Sequence, residues 1–368
     1  MQEEPCDDHY HRLLARLPSF GITRLANITG LDPLPLMTVM AVRPNACYQA
    51  ITLGTSSSKK QAMTAAISEA IELFSLEYDL SADLTGSYDQ LARNYPLLWP
   101  NTPYQRQQDE LRKKLVQQWI QVSPLGDEHP AYLPKRYFIP HATIKNRRDE
   151  IATSSIAGIA CRESQEEALS HGLFELIEQD CKMRFAYQFN HDDFRIHLDS
   201  VASKSNRFLL QEFKSAGIKL TITDLQSELC VPCYQVQMEV PVSKTKSNVK
   251  TFRGYGCDFD HDHAIEKALN EAIQGSRSYL SGCRDETDLS WYLLEIAPVI
   301  NEITLTHRPE WRYVEDDPNQ SILQRLKSRL QRFGYPAIYY LDRGKMAIPF
   351  HVTQVIVPGL IGSSLLCV

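Results

Sequence analysis

The sequence predicts an α+β protein, built as layered sheets of repeated β-hairpins with acidic helices set against them. Three observations carry that prediction. A twelve-residue helical pattern occurs three times without a gap, and a strand–turn–strand pattern occurs three times. Two of the strand pairs also follow a helix that closes on glycine. Repeats are sought first because a fold built from them is misread when its segments are taken singly.

The helical pattern reads QAMTAAISEAIE at 61–72, EALSHGLFELIE at 167–178 and HAIEKALNEAIQ at 263–274. Ala62, Ala168 and Ala264 align, followed by small residues at Ala66, Gly172 and Ala268 and aliphatic ones at Ile67, Leu173 and Leu269. Glu69, Glu175 and Glu271 share the next column, and the last column holds Glu72, Glu178 and Gln274. In the first window Met63, Ile67, Ala70, Ile71 and Phe74 form an apolar stripe at helical spacing. Ala62, Ala65, Glu69 and Glu72 fall on the opposite face. Ser58 with Gln61 and Ser164 with Glu167 have capping-box spacing, and Asp262 is a candidate N-cap for the third helix.

The strand pattern is marked by Pro35 and Pro44, Pro232 and Pro241, and Pro349 and Pro358. The first proline of each pair opens an apolar stretch: LMTVMAV, CYQVQMEV and FHVTQVIV. Upstream lie Asp32, Asp224 and Asp342, each after another apolar run (LANIT, KLTIT, AIYYL). That order reads as strand, polar turn, strand. The helices before the second and third copies, NRFLLQEFKSAGIKL and ILQRLKSRLQRFGYP, close on Gly217 and Gly334 as C-caps. The intervening segment 81–135 is rich in Pro, Gln, Tyr and Trp, and 104–120 reads as one helix with a solvated Arg, Lys and Gln face.

Composition bounds the function. The chain has 368 residues, 43% hydrophobic and 23% charged, with a net charge of −6. An acidic balance argues against a protein that coats nucleic acid, since phosphate contacts need clustered Lys and Arg. Nothing approaches an 18-residue apolar span, so no membrane crossing is expected. The acidic opening Met1-Gln2-Glu3-Glu4 is not a signal peptide. Nine scattered cysteines read as free thiols in a reducing, cytoplasmic setting.

The glutamates admit two readings. An amphipathic helix carries charge on its wet face, and that accounts for any one pair. Against it, the same face keeps Ala62, Ala168 and Ala264, where solvent alone gives no reason to avoid long side chains. Carboxylates at i,i+3 recur in register, and gathered from three helices they repel without a counter-cation. Mg²⁺ is the natural ion, because it takes oxygen ligands from one or two carboxylates and completes its octahedron with water and phosphate. Gln274 and Arg277 suit phosphate or base contact. A di-iron centre wants Glu-x-x-His on two helices, which none of these helices has.

The stretches at 21–46, 154–180 and 254–286, with IPFHVTQVIVPGL near the C-terminus, resemble YcaO-domain proteins. The likeness runs from about residue 20 to the end, which predicts a lead-in over 1–20 and a single YcaO-like catalytic domain over 21–368, its acidic helices converging on a nucleotide site. The resemblance implies an ATP- and Mg²⁺-dependent enzyme that phosphorylates a peptide amide oxygen after a nucleophile adds to the carbonyl. By position, Glu69, Glu72, Glu175 and Glu178 would hold Mg²⁺. Glu167, Glu271, Gln274 and Arg277 would contact nucleotide or metal, and Arg284 phosphate. Glu167 has an equal claim as a capping-box residue, and Arg284 with Asp285 could form a local ion pair.

The chain also departs from the family pattern. Gly54-Thr55-Ser56 stands where Gly-Lys-Gly is usual, and Ala65 and Ala160 replace serines. Leu73 and Gln179 replace arginines. The VIVPGLIGSSLLCV ending and the GITRLANITGLD opening look like YcaO proteins paired with TfuA, which implies a backbone thioamide product. The expected partners are a peptide or protein substrate, a TfuA-like sulfur-delivery or leader-binding protein, and a second copy in a homodimer. Azoline formation, or a non-catalytic YcaO-like partner role, is the alternative.

Two further signals are read structurally. Cys230-Val-Pro-Cys233 has the spacing of a redox or zinc motif but no second CxxC, and it opens an apolar strand where alternate cysteines are buried filler. Asp258, Asp260, Asp262, His261 and His263 lack the Gly and Glu of a calcium loop and read as a polar turn into the third acidic helix.

Overall fold

The computed structural model describes residues 8–77, 79–99, 113–140, 156–186, 194–225, 227–241, 249–283, 317, 319–344 and 350–360. In chain order the elements begin with α1 (Asp8–Arg16), a 3₁₀ turn (Leu17–Phe20), β1 (Arg24–Asn27), β2 (Met37–Val42), β3 (Ile51–Ser56) and α2 (Lys59–Leu76). There follow β4 (Leu84–Gly86), α3 (Tyr88–Leu91), β5 (Gln117–Pro124), β6 (Ala131–Pro134), β7 (Ile159–Arg162) and α4 (Gln165–Ala186). The last are α5 (Lys204–Ser215), β8 (Lys219–Asp224), β9 (Cys233–Pro241), β10 (Val249–Cys257), α6 (His261–Ser281), α7 (Ile322–Arg332), β11 (Tyr339–Asp342) and β12 (His351–Ile356).

Every hairpin expected from the proline pattern is present. β1 pairs antiparallel with β2, β8 with β9, and β11 with β12. In the first two copies a third antiparallel strand follows and leads into an acidic helix: β3 into α2, and β10 into α6. The third copy is permuted. Its hairpin β11–β12 takes β7 as the third strand, and β7 with its helix α4 lies earlier in the chain. Gly217 (φ 69°) and Gly334 (φ 92°) close α5 and α7 in the left-handed region, as their placement predicts.

Two compact units divide the chain: Met1–Asn45, Gln49–Ala70 and Phe185–Tyr313 form one, and Ala46–Tyr48, Ile71–Arg184 and Val314–Val368 the other. Both divisions through the acidic repeats fall inside helices, at Ala70–Ile71 of α2 and at Arg184–Phe185 of α4. In the first unit α6 lays Ile265, Leu269, Ala272 and Ile273 on Val236, Met238 and Phe252 of the β8–β10 sheet, with Leu209 and Phe213 of α5 in the same core. In the second unit Ile120, Val122, Leu133, Phe138, Tyr339 and Ile356 form the core of the sheet ordered β4-β5-β11-β12-β7. Buried Trp119 donates its indole N–H to the Gly86 carbonyl at 3.0 Å.

Small residues in the repeats bring strand and helix into backbone contact. A Cβ at Gly54 would strike the Ala62 carbonyl and the Ala66 amide. One at Gly256 would strike the Ala264 carbonyl, and one at Gly254 the Ala268 carbonyl and Ala272 amide. Ala160 occupies the matching place in the permuted copy, and Ala62, Ala168 and Ala264 are all fully buried. The bulk that these small residues admit is strand backbone, seen at Ala62 and Ala264. The acidic helices are thus apolar on more than one side, with Ala62, Ala66, Ile67 and Ala70 of α2 all buried.

Two other expectations change. Residues 104–112 of the proposed 104–120 helix lie outside the described residues, but Gln117–Ile120 belong to β5, because strand pairing to both β4 and β6 outweighs their helical spacing. The N-cap of α6 is Asp260, whose carboxylate accepts the His263 amide at 2.9 Å. Asp262 instead accepts the Ser203 amide at 3.0 Å. The remaining polar turn is tied internally, with Lys267 donating to Asp258 at 2.6 Å.

Gly254→Ala is expected to lower stability by about 3 kcal/mol or more, since rigid backbone rather than a mobile side chain blocks the new methyl. Chemical denaturation checks it. A loss below about 0.5 kcal/mol, the scale of ordinary surface changes, would show that β10 and α6 can part without penalty.

Candidate functional site

One glutamate of each repeat binds its helix to its own strand. The Leu53 amide donates to Glu69 Oε2 at 3.3 Å, the Gly158 amide to Glu175 Oε2 at 3.1 Å, and the Tyr255 amide to Glu271 Oε2 at 2.7 Å. In the first copy the Thr52 hydroxyl also donates to the Ala66 carbonyl at 2.7 Å. A backbone amide bonded to an ionised carboxylate is stronger than a neutral pair. The column of glutamates in the sequence is therefore a recurring clamp, and its carboxylates lie beside strand backbone.

The second acidic position, three residues on, points along the same helix face. Glu72 Oε1 accepts the Cys161 amide at 2.7 Å, with Arg162 Nη1 at 3.6 Å. Glu72 and Glu175 thus both meet the β7 segment, one at Cys161 and one at Gly158. Burial pushes the Glu72 carboxyl up to about 7, against the pull of Arg162 and of the Cys161 amide. Arg162 in turn donates to the Cys161 carbonyl at 2.6 Å. Glu178 and Gln274 are half-buried on α4 and α6. Within the second unit, then, α2 and α4 supply Glu72, Glu175 and Glu178; within the first, α2 and α6 supply Glu69, Glu271 and Gln274.

Glu167 is exposed and closes a full capping box: the Ser164 amide donates to Glu167 Oε2 at 3.2 Å, and the Glu167 amide to Ser164 Oγ at 3.2 Å. Arg277 departs from the phosphate or base contact expected of it. Its side chain is fully buried, and its donors go to Asp32 Oδ2 (2.9 Å), Asp32 Oδ1 (2.7 Å), Leu34 O (2.9 Å), Leu36 O (2.6 Å) and Thr38 Oγ1 (2.8 Å). A guanidinium has five N–H groups, so none is left for a ligand. Arg284 lies outside the described residues.

The family-pattern departures fit this knot. Thr55, where a lysine is usual, is buried and shares a 2.8 Å hydrogen bond with Thr38, which also receives Arg277. Leu73, where an arginine is usual, is buried. Asp32 and Thr38 escaped the sequence reading as partners of Arg277, because 245 residues separate Asp32 from it. Arg343 escaped it too. This buried cation donates to the Ser75 carbonyl at 3.2 Å, the Phe138 carbonyl at 2.9 Å and Gln354 Oε1 at 2.8 Å, which places it at the C-terminal, electronegative end of α2.

Among the described residues, no three of His, Cys, Asp or Glu are grouped to hold a metal ion by themselves. The donors on these helices are carboxylate and amide oxygens. That chemistry fits Mg²⁺, which needs only one or two carboxylates when phosphate and water supply the rest.

Residues 53–361 match the family described as YcaO cyclodehydratase, ATP- and Mg²⁺-binding. A relative from Rhizobium leguminosarum bv. trifolii, an uncharacterized protein in the tfuA 3′ region, is 23% identical over 94% of this chain and 84% of its own length. The structure of YcaO from Methanopyrus kandleri bound with AMPPCP and Mg²⁺ superposes with a TM-score of 0.69 at 17% identity, covering 95% of this chain and 88% of that one. A heterocyclase in complex with substrate and cofactor gives a TM-score of 0.69 at 18% identity over 98% of this chain. The present chain spans 54% of that heterocyclase. Among the described residues, no helix is long and apolar enough to cross a membrane.

Two outcomes follow from the geometry. Asp32→Ala leaves Arg277 buried without its carboxylate and is expected to cost about 3–5 kcal/mol, read by denaturant titration; a near-neutral effect would mean that the carbonyls alone satisfy the cation. Glu72 holds its proton more tightly folded than unfolded, so its stabilising contribution is fully present below pH 4.5 and is lost as pH rises through about 7. In the ligand-free protein Glu72→Gln should remove that decline. A decline of unchanged size in the variant would assign it to another group.

Proposed function

The chain belongs to the YcaO family, and we propose that it activates a peptide backbone amide by ATP- and Mg²⁺-dependent phosphorylation of the amide oxygen, giving a thioamide. The observation that carries this reading is the coincidence of that family match with the three strand-clamped acidic helices. A sulfur nucleophile adds to the carbonyl carbon, and the oxyanion so formed attacks the γ-phosphorus with loss of ADP. The carbon–oxygen bond then breaks, phosphate leaves with the bonding pair, the sulfur gives up its proton to solvent, and a carbon–sulfur double bond remains. An amide oxygen is a poor leaving group until it is phosphorylated, and phosphoryl transfer depends on positioning and charge neutralisation.

Within the second unit Glu72, Glu175 and Glu178 would hold Mg²⁺; within the first, Glu69 would be a further Mg²⁺ ligand, and Glu271 and Gln274 would contact nucleotide. The ion would supply charge neutralisation around the triphosphate. The clamps fix each helix rotation, so that the next acidic position, one turn on, is aimed before ligand arrives. Glu167 acts as a cap, and Arg277 holds the β1–β2 turn. A gene position beside tfuA in the Rhizobium relative supports the thioamide product and a TfuA-like partner for sulfur delivery or leader binding. The family description and the heterocyclase likeness favour a second reading, azoline formation from the same phosphorylated amide.

Incubation with candidate peptide, ATP, Mg²⁺ and a sulfide source should release phosphate and shift the peptide by the exchange of one oxygen for one sulfur. Loss of one water would establish the azoline reading; no phosphate release with any peptide would favour a non-catalytic partner. Glu175→Gln and Glu178→Gln are each expected to lower phosphate release by about 10–100-fold or more with little change in thermal melting. In Glu175→Gln the new side-chain amide oxygen can still accept the Gly158 N–H. Wild-type turnover in both would leave these carboxylates as surface charge.

A further inference from the structure

The CxxC spacing draws attention to Cys230 and Cys233, but strand register gives Cys233 a different neighbour. Cys233 on β9 lies directly opposite Cys257 on β10. On the adjoining rung the Asp258 amide donates to the Pro232 carbonyl at 3.1 Å. Antiparallel rungs alternate, so the cysteine rung is of the non-hydrogen-bonded kind, with Cα atoms about 4.5 Å apart and side chains close together. A disulfide accepts Cα separations of about 4.4–6.8 Å. Both backbones are held from outside the pair: the Leu225 amide donates to the Cys233 carbonyl at 2.9 Å, and Lys267 to the Cys257 carbonyl at 3.1 Å.

The face of the sheet matters as well. Gly254 and Gly256 turn toward α6, where an added Cβ would meet helix backbone. Side chains alternate along a strand, so Cys257 shares the other face with Tyr255 and exposed Arg253. Neither Cys233 nor Cys257 belongs to the apolar core between α6 and the sheet, although both are only 1% exposed. Among the described residues β10 is the edge strand of its sheet, so local opening of one strand gives a small oxidant access to the rung. Cys230, by contrast, sits in a turn at φ 55° with its sulfur 4.0 Å from the Glu228 carbonyl.

We propose that Cys233 and Cys257 are an oxidisable pair that closes a disulfide across β9 and β10, the co-reactant being a low-molecular-weight disulfide. One of the two thiolates attacks a sulfur of that disulfide, forming a mixed disulfide and expelling one thiol. The other thiolate then attacks the protein-bound sulfur and expels the second. Two electrons pass to the co-reactant, and the two protein protons end on the released thiols.

The test is to incubate the folded protein with oxidised glutathione, alkylate remaining thiols, unfold, digest and map the linkages by mass spectrometry. The expected product is a reductant-sensitive Cys233–Cys257 cross-linked peptide, lighter than its reduced parts by two hydrogens and formed equally in Cys230→Ser. Linkage of Cys233 to Cys230 would overturn the proposal. So would recovery of Cys233 and Cys257 as free thiols while exposed Cys47 becomes glutathionylated, since that shows an active oxidant and an unreactive rung.

Discussion

Direct seating of a helix on a strand, backbone against backbone, is the contact on which the rest of this protein depends. Ordinary helix–sheet packing keeps the two layers apart by a row of side chains. Here strand glycines meet helix alanines, and a single Cβ added at Gly54, Gly254 or Gly256 would collide with helix carbonyl and amide groups. Such closeness fixes the helix axis but not its rotation, because small residues interdigitate little. The glutamate clamp supplies the missing constraint: one strand amide, bonded to a carboxylate near the middle of the helix, sets which face looks where.

That arrangement is made three times, twice in sequence order and once by permutation, with β7 and α4 supplied long before β11 and β12. Parts of the molecule that depart from the repeat reveal its priorities. In the first unit a buried guanidinium, Arg277, ties the last turns of α6 to the loop before β2, and Thr55 hydrogen-bonds into the same network. In the second, Arg343 sits at the end of α2 among neutral acceptors. Both cations hold fixed the helices that carry the acidic positions.

Much of this was legible in the amino-acid order. Hairpins announced themselves through spaced prolines and apolar runs, the C-caps through Gly217 and Gly334, and the acidic columns through their shared register. The reasons for the pattern were less legible. Ala62, Ala168 and Ala264 showed that the face is more than solvated, but only the packed structure shows strand backbone lying on it at Ala62 and Ala264. That Glu69, Glu175 and Glu271 also accept a strand amide was not legible, because a one-dimensional pattern does not show which backbone N–H stands opposite. Arg277 and Asp32 form a buried pair across a sequence distance no local rule spans. Residues 117–120 have helical spacing, yet neighbouring strands on both sides claim them.

The position of a divalent ion when nucleotide binds decides what these acidic helices do. Crystals grown with Mn²⁺ in place of Mg²⁺ and a non-hydrolysable ATP analogue would locate the ion by anomalous scattering. The account predicts Mn²⁺ ligated by phosphate oxygens and by a carboxylate oxygen from at least one of Glu72, Glu175 and Glu178. Mn²⁺ held by phosphate and by carboxylates elsewhere in the chain, with those three side chains uninvolved, would contradict it.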